Sequence, residues 1–187
     1  MIANTVADEI IELYRHHGGS EYAGEKVTQL EHMVQAARLA EMQGYDEEVV
    51  LAAFLHDIGH ICETAHGDNE MGGYGIKDHE EAGAEFLRRN GFSERLITLV
   101  QSHVEAKRYL TYKYPDYYGQ LSEASRKTLE YQGGRMSEAE AGDYEKQPLF
   151  DLIIQMRRWD DDAKLLDRPV PDLEKYRQMI IRHLKKD

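Results

Sequence analysis

Seven consecutive apolar residues, Val49-Val50-Leu51-Ala52-Ala53-Phe54-Leu55, run straight into His56-Asp57. Asp46, Glu47 and Glu48 precede them and place acids where a helix start is positive. A helix made of this run is apolar all round, so it belongs at the centre of a helical assembly. It is also the longest apolar run in the chain and far too short to cross a membrane. Its last two residues are ionisable and interior, which is costly unless something compensates them. A metal ion compensates both, because neutral imidazole and carboxylate are metal ligands.

The rest of the chain reads as a string of helices with almost no strand alternation. Val6, Ile10, Ile11 and Tyr14 form one stripe, with Asn4 as the expected N-cap and Gly18-Gly19 as the stop. Thr28 and Glu31 make a capping box before a helix that ends at Gly44. Gly67 to Gly75 is a glycine-rich loop that lacks the Lys-Ser/Thr ending of a phosphate-binding loop. Asp78 starts a short helix that stops at Asn90-Gly91, and Ser93 starts another carrying Leu96, Ile97, Leu99 and Val100. Tyr109, Tyr112, Tyr114, Tyr117 and Tyr118, with Pro115 among them, read as a loop or lid. Ser122 to Tyr131 is helical, Ser137 and Glu140 form a second capping box, Leu149 to Trp159 is helical, and Pro171 opens the last helix. The expected fold is all-α, a helical bundle forming one domain over residues 1–187.

Several further histidines sit on inward faces. His32 precedes Ala36 and Leu39 at helical spacing, His79 precedes Ala82, Gly83, Phe86 and Leu87, and His103 follows Leu96, Leu99 and Val100. Asp160 falls in phase with Ile153 and Met156. One buried histidine is ordinarily a hydrogen-bonded structural residue. Four of them with two carboxylates, each on the inward face of a different helix or helix end, point to a metal site. The donors are nitrogen and oxygen without thiolate, which suits Fe, Mn, Zn or Ni. Cys62 is the only cysteine, so Cys-rich zinc sites and internal disulfides are excluded.

Composition narrows the partners. The 187 residues are 41% hydrophobic, enough for a real core, and the net charge is −12. Such a surface repels nucleic acid and anionic membranes. An anionic substrate therefore needs a strongly positive site of its own, which bound cations can supply. Asp8, Glu9 and Glu12 interrupt the apolar pattern of the first helix, unlike a secretory signal, so a cytoplasmic location is expected.

The order His32…His56-Asp57…Asp160 resembles the HD-domain superfamily, and His79 and His103 between them resemble its dinuclear subset. That resemblance implies that Asp57 bridges two metals, with His32, His56 and Asp160 completing one and His79 and His103 the other. A narrower likeness rests on Tyr22-Ala-Gly-Glu25, His-Asp-Ile-Gly-His (56–60), Glu70-Met-Gly-Gly-Tyr-Gly75, Phe92-Ser-Glu-Arg95, His103-Val-Glu-Ala-Lys-Arg-Tyr-Leu110, the run from Ala124 to Gly134, and Trp159-Asp160. Together these resemble the PhnZ-like HD-domain mixed-valent diiron oxygenases, the 2-amino-1-hydroxyethylphosphonate dioxygenase family. The likeness extends from about Tyr22 to the last helix and departs in the Glu63–Asn69 and Tyr112–Leu121 stretches.

The resemblance implies two Fe ions in the mixed-valent Fe(II)/Fe(III) state and O2 as cosubstrate. It also implies cleavage of the C–P bond of a small-molecule 1-hydroxyalkylphosphonate in phosphonate catabolism, with a phosphonate α-hydroxylase as pathway partner. Lys107, one turn after His103, then pairs with the phosphonate. Ser125 and Gln132, which share a helix face with Thr128 as a weaker candidate, donate to it, and His60 donates or supports. Tyr22 occupies an iron position in the resting site and leaves when substrate arrives, and Glu25 receives the substrate ammonium. Without the resemblance these would be an exposed lysine, a solvated polar face and a polar approach to a helix. A carboxylate at Glu25 suits a primary amine, which donates hydrogen bonds, better than a trimethylated nitrogen. The alternatives are the N-trimethylated substrate, giving glycine betaine, and a metal-dependent HD phosphohydrolase.

Overall fold

The computed structural model describes residues 2–22, 24–62 and 69–185. Among the described residues there are helices and no strand. The helices are α1 (Ile2–His17), α2 (Gln29–Met42), α3 (Glu47–Leu55), α4 (Gly59–Cys62), α5 (His79–Arg89), α6 (Glu94–Lys113), α7 (Tyr117–Gln120), α8 (Glu123–Tyr131), α9 (Glu138–Tyr144), α10 (Phe150–Asp162) and α11 (Glu174–His183). None of them is long and apolar enough to cross a membrane.

α3 is central, as its all-apolar run requires. Every residue from Val49 to Leu55 is buried, and α3 packs against α2, α6, α10 and α11. Phe54 stacks between Tyr14 of α1 (ring centroids 4.5 Å apart) and Tyr176 of α11 (4.0 Å). The Tyr14 hydroxyl donates to the Phe54 carbonyl at 2.6 Å. Phe54→Ala would open a cavity between three helices, a change that costs about 3–5 kcal/mol in a well-packed core.

Local chemistry sets the helix ends. Thr28–Glu31 and Ser137–Glu140 form reciprocal capping boxes, and Asp46, Ser93 and Ser122 accept from backbone N–H groups in the first turns that follow them. Three boundaries differ from expectation. α1 begins at Ile2, so Asn4 lies inside it. α11 begins at Glu174, three residues after Pro171. α6 runs on through Tyr109 and Tyr112, and α7 takes in Tyr117 and Tyr118, so most of the expected tyrosine loop is helix. The reason is burial: the Tyr109 ring packs against Tyr144 of α9 and Phe150 of α10, and the helix breaks only near Pro115.

Two isolated antiparallel bridges, Glu21 with Thr28 and Glu70 with Ile76, close the loops that precede α2 and α5. The second loop holds Gly72, Gly73 and Gly75 in the left-handed region; residues 67 and 68 of the expected glycine-rich stretch lie outside the described residues.

Candidate metal centre and substrate pocket

The helices bring all six proposed ligands to one buried point. His32 comes from α2, His56 caps α3 and Asp57 follows it, His79 opens α5, His103 lies in α6 and Asp160 in α10. Each of the six is at least nine-tenths buried. Each imidazole is held by a backbone carbonyl through Nδ1: His32 by Ala163 at 2.9 Å, His56 by Ala53 at 2.8 Å, His79 by Ile76 at 3.0 Å and His103 by Val100 at 2.7 Å. A carbonyl only accepts, so the proton is on Nδ1 in all four rings and Nε2 turns inward.

The inward atoms then face one another. Nε2 of His32 lies 3.1 Å from Nε2 of His56, and Nε2 of His79 lies 3.0 Å from Nε2 of His103. Asp57 stands between the pairs: Oδ2 is 3.5 Å from His32 and 3.3 Å from His56, and Oδ1 is 3.1 Å from His79 and 3.2 Å from His103. Asp160 Oδ1 is 3.3 Å from His32. Both Asp57 oxygens and Asp160 Oδ1 are buried without a hydrogen-bond partner. Opposed lone pairs and orphaned carboxylate oxygens require a cation. Ligand atoms about 2.1 Å from an octahedral ion stand about 3.0 Å from their neighbours, close to the spacing of these donors. The residues fit two ions, one inside His32, His56, Asp160 and Asp57 Oδ2, the other inside His79, His103 and Asp57 Oδ1.

The electrostatics carry the same demand. Burial pulls the His32 imidazole down, but the close carboxylates of Asp160 and Asp57 outweigh it and raise the pKa to about 9. His79 is likewise raised against its burial, by Asp57 and Glu80. Burial would push Asp57 up, yet the surrounding imidazoles hold it well below the usual carboxylate range. Asp160 is also held low against burial, chiefly by the Arg157 guanidinium.

Gly59 makes the geometry possible. A Cβ at this position would sit 1.8 Å from the His79 carbonyl oxygen, so only glycine lets α4 pass that close to the start of α5.

A small pocket opens beside this cluster and reaches His79, His103 and Asp160. Tyr22, Glu25, His60, Lys107, Ser125, Thr128 and Gln132 all line it. Lys107 is only 3% exposed, not a surface lysine. It donates to Thr128 Oγ1 at 2.8 Å and makes no ion pair among the described residues. Burial and then the nearby Arg157 push its pKa down to about 7, against the pull of Asp160 and Asp161. A buried amine with no counter-ion, facing a cavity, is a place for an anion. Gln132 Oε1 is buried and unpartnered nearby.

His60 differs from the four histidines above. Its ring stacks on His79 with centroids 3.9 Å apart, and its Nδ1 accepts the Ile76 N–H at 3.2 Å. In the neutral ring the proton is therefore on Nε2, which makes His60 a donor. The Tyr22 ring stacks on His32 at 3.9 Å, and burial, with Asp160 and Asp57 close by, holds its hydroxyl well above the usual range.

Two functional residues escape sequence reasoning. Arg157, 3% exposed, lines the cavity and pairs with Asp160, Asp161 and the Tyr117 hydroxyl. Its signal was available: it lies three residues before Asp160 on the face of Ile153 and Met156. Lys164 pairs with Glu25 and donates to Ser125. It follows the end of α10, where helical phase no longer applies.

The HD domain family model matches residues 30–160. This chain belongs to the HD-domain family. Within that family it stands with the PhnZ-like phosphonate oxygenases. It is 41% identical over 180 residues to the [1-hydroxy-2-(trimethylamino)ethyl]phosphonate dioxygenase (glycine-betaine-forming) of Leisingera caerulea, covering 93% of this chain and 88% of the relative. It is 41% identical over 169 residues to the hydroxymethylphosphonate dioxygenase of Gimesia maris, covering 89% and 82%. An uncharacterised protein of Acanthamoeba polyphaga mimivirus is 46% identical over 175 residues, covering 94% and 80%.

Proposed function

We propose that this HD-domain protein is a non-haem diiron dioxygenase that cleaves the C–P bond of a 1-hydroxyalkylphosphonate, most directly 2-amino-1-hydroxyethylphosphonate, to glycine and phosphate. One observation carries the reading: the buried Lys107 amine, with no ion pair among the described residues and with Ser125, Thr128 and Gln132 around it, sits in the pocket that opens on the donor cluster. Both named relatives are dioxygenases of hydroxylated phosphonates. The ions would be held by His32, His56 and Asp160, and by His79 and His103, with Asp57 shared. Two iron ions there, in the mixed-valent state, supply O2 activation and the electron transfer.

The side chains do the rest. Lys107 takes the phosphonate charge, with Ser125, Gln132 and His60 as hydrogen-bonding partners to its oxygens. Tyr22 lies over His32 and yields its place as the substrate enters. Glu25 receives the substrate ammonium at the other end. Arg157 keeps one Asp160 oxygen engaged and leaves the other for the ion. The balance closes without a further reductant: substrate plus O2 gives glycine plus phosphate, with C1 oxidised to a carboxylate and the C–P bond broken. A hydroxylase that installs the C1 hydroxyl is the reaction class that supplies this substrate.

The test is phosphate release by iron-loaded protein from 2-amino-1-hydroxyethylphosphonate, its N-trimethyl analogue and hydroxymethylphosphonate, with O2 uptake followed in parallel. The expected result is one O2 consumed per phosphate, fastest with the primary amine. Phosphate release without O2 overturns the oxygenase and makes the site a phosphohydrolase.

A further inference from the structure

Glu25 already has a cation beside it, although its buried Oε1 makes no hydrogen bond. Its Oε1 lies 3.2 Å from the Lys164 ammonium, and both side chains are 16% exposed. The same ammonium donates to Ser125 Oγ at 3.2 Å and stands 5.9 Å from the centroid of the Tyr22 ring. Lys164 does not line the cavity; it stands behind three residues that do. It joins the loop before α2 to α8, two parts of the wall that are far apart in sequence.

We propose that Lys164 is a positioning residue that holds Glu25 and Ser125 together and thereby decides which substituent the pocket accepts beside the reacting carbon. The inference rests on the phosphonate reading above. A carboxylate already neutralised by a fixed cation attracts a second cation weakly. A substrate with only hydrogen at that position leaves the Glu25–Lys164 pair intact. A primary ammonium donates hydrogen bonds and competes for Glu25 at close range. A trimethylammonium donates none and keeps its charge behind methyl groups, so it competes with Lys164 for Glu25 least well. Lys164 therefore penalises cationic substituents, and a trimethylated one most.

The test uses phosphonates that lack the C1 hydroxyl, so binding is read without turnover. Methylphosphonate, 2-aminoethylphosphonate and its N-trimethyl analogue are titrated calorimetrically into metal-loaded wild type, Lys164→Met and Lys164→Arg. Lys164→Met should raise affinity for the two cationic ligands relative to methylphosphonate by about five-fold or more, the scale of a half-buried charge pair. Lys164→Arg, which keeps the charge and the reach to Glu25, should restore the wild-type order. In a Glu25→Gln background, Lys164→Met should leave the ratios unchanged, because the effect passes through Glu25. A uniform change of all three affinities in Lys164→Met, or the same shift with Glu25 already replaced, overturns the proposal and leaves the phosphonate reading standing. Failure of wild type to bind any of the three overturns the phosphonate reading itself.

Discussion

The floor of the pocket and its outer wall are built in opposite ways. On the floor, four imidazoles are each fixed by a main-chain carbonyl, and the two carboxylates are held low by neighbouring positive charge. On the wall, Tyr22, Glu25 and Ser125 are held by side-chain contacts, stacking on His32 in one case and the Lys164 ammonium in the others. Main-chain anchoring fixes geometry at no side-chain entropy cost to the anchor. Side-chain anchoring can exchange partners. The first arrangement suits ions that stay, and the second suits a ligand that comes and goes.

The largest expected effect is on the floor. Asp57 lies within 3.5 Å of all four imidazoles. Asp57→Ala should empty both ion sites and lower turnover by at least about 10³-fold, the scale seen when a catalytic unit is lost. Elemental analysis of the purified variant checks this; two ions per chain retained would break the comparison.

Between floor and wall stands Lys107. Lys107→Met should weaken phosphonate binding by about 10- to 100-fold, from about 1.5–3 kcal/mol for a hydrogen bond to a charged group, with ion content unchanged. Calorimetry on the metal-loaded variant measures both. Loss of ions along with affinity would move Lys107 into the floor.

The floor should also respond to pH. In the metal-free protein His32 holds a proton up to about pH 9, and an ion must displace it. Ion affinity should rise about tenfold per pH unit for each proton released, and flatten near pH 9 for His32. The linked stability runs the other way. A folded-state pKa raised above 6.5 stabilises the metal-free chain fully below that value, and this contribution is lost as pH climbs toward 9. Metal-free melting temperature and ion affinity, measured across pH 6 to 9, should therefore move in opposite directions. Movement in the same direction would refute the displaced proton.

The smallest effect is on the wall and has the opposite sign to Lys107→Met. Tyr22→Phe removes a hydroxyl that must yield to the substrate, so phosphonate affinity should tighten by about 2- to 10-fold, the worth of one hydrogen bond. Weaker binding would make Tyr22 a substrate contact instead.

This division also explains what the sequence makes legible. Ligand positions are visible because each lies in phase with apolar neighbours on a helix, as His103 does with Leu96 and Val100. Capping residues such as Thr28 and Ser137 are visible because their partners are three residues away. Lys164 is invisible because its partners, Glu25 and Ser125, are remote in sequence and it lies past a helix end. Tyr109 reads as a loop residue because its burial partners lie on α9 and α10, which local pattern does not reveal. Local chemistry shows where a helix faces; it does not show which loop side chains meet across the pocket.

The four carbonyl anchors have a consequence for the order in which the protein is assembled. Ala53, Ile76, Val100 and Ala163 choose the tautomer of their histidines through backbone that folding itself fixes. The chain can therefore finish its fold as an apoprotein, with protons keeping the ligands apart. An ion arriving later would find its ligands already aimed, beside a pocket that reaches His79, His103 and Asp160.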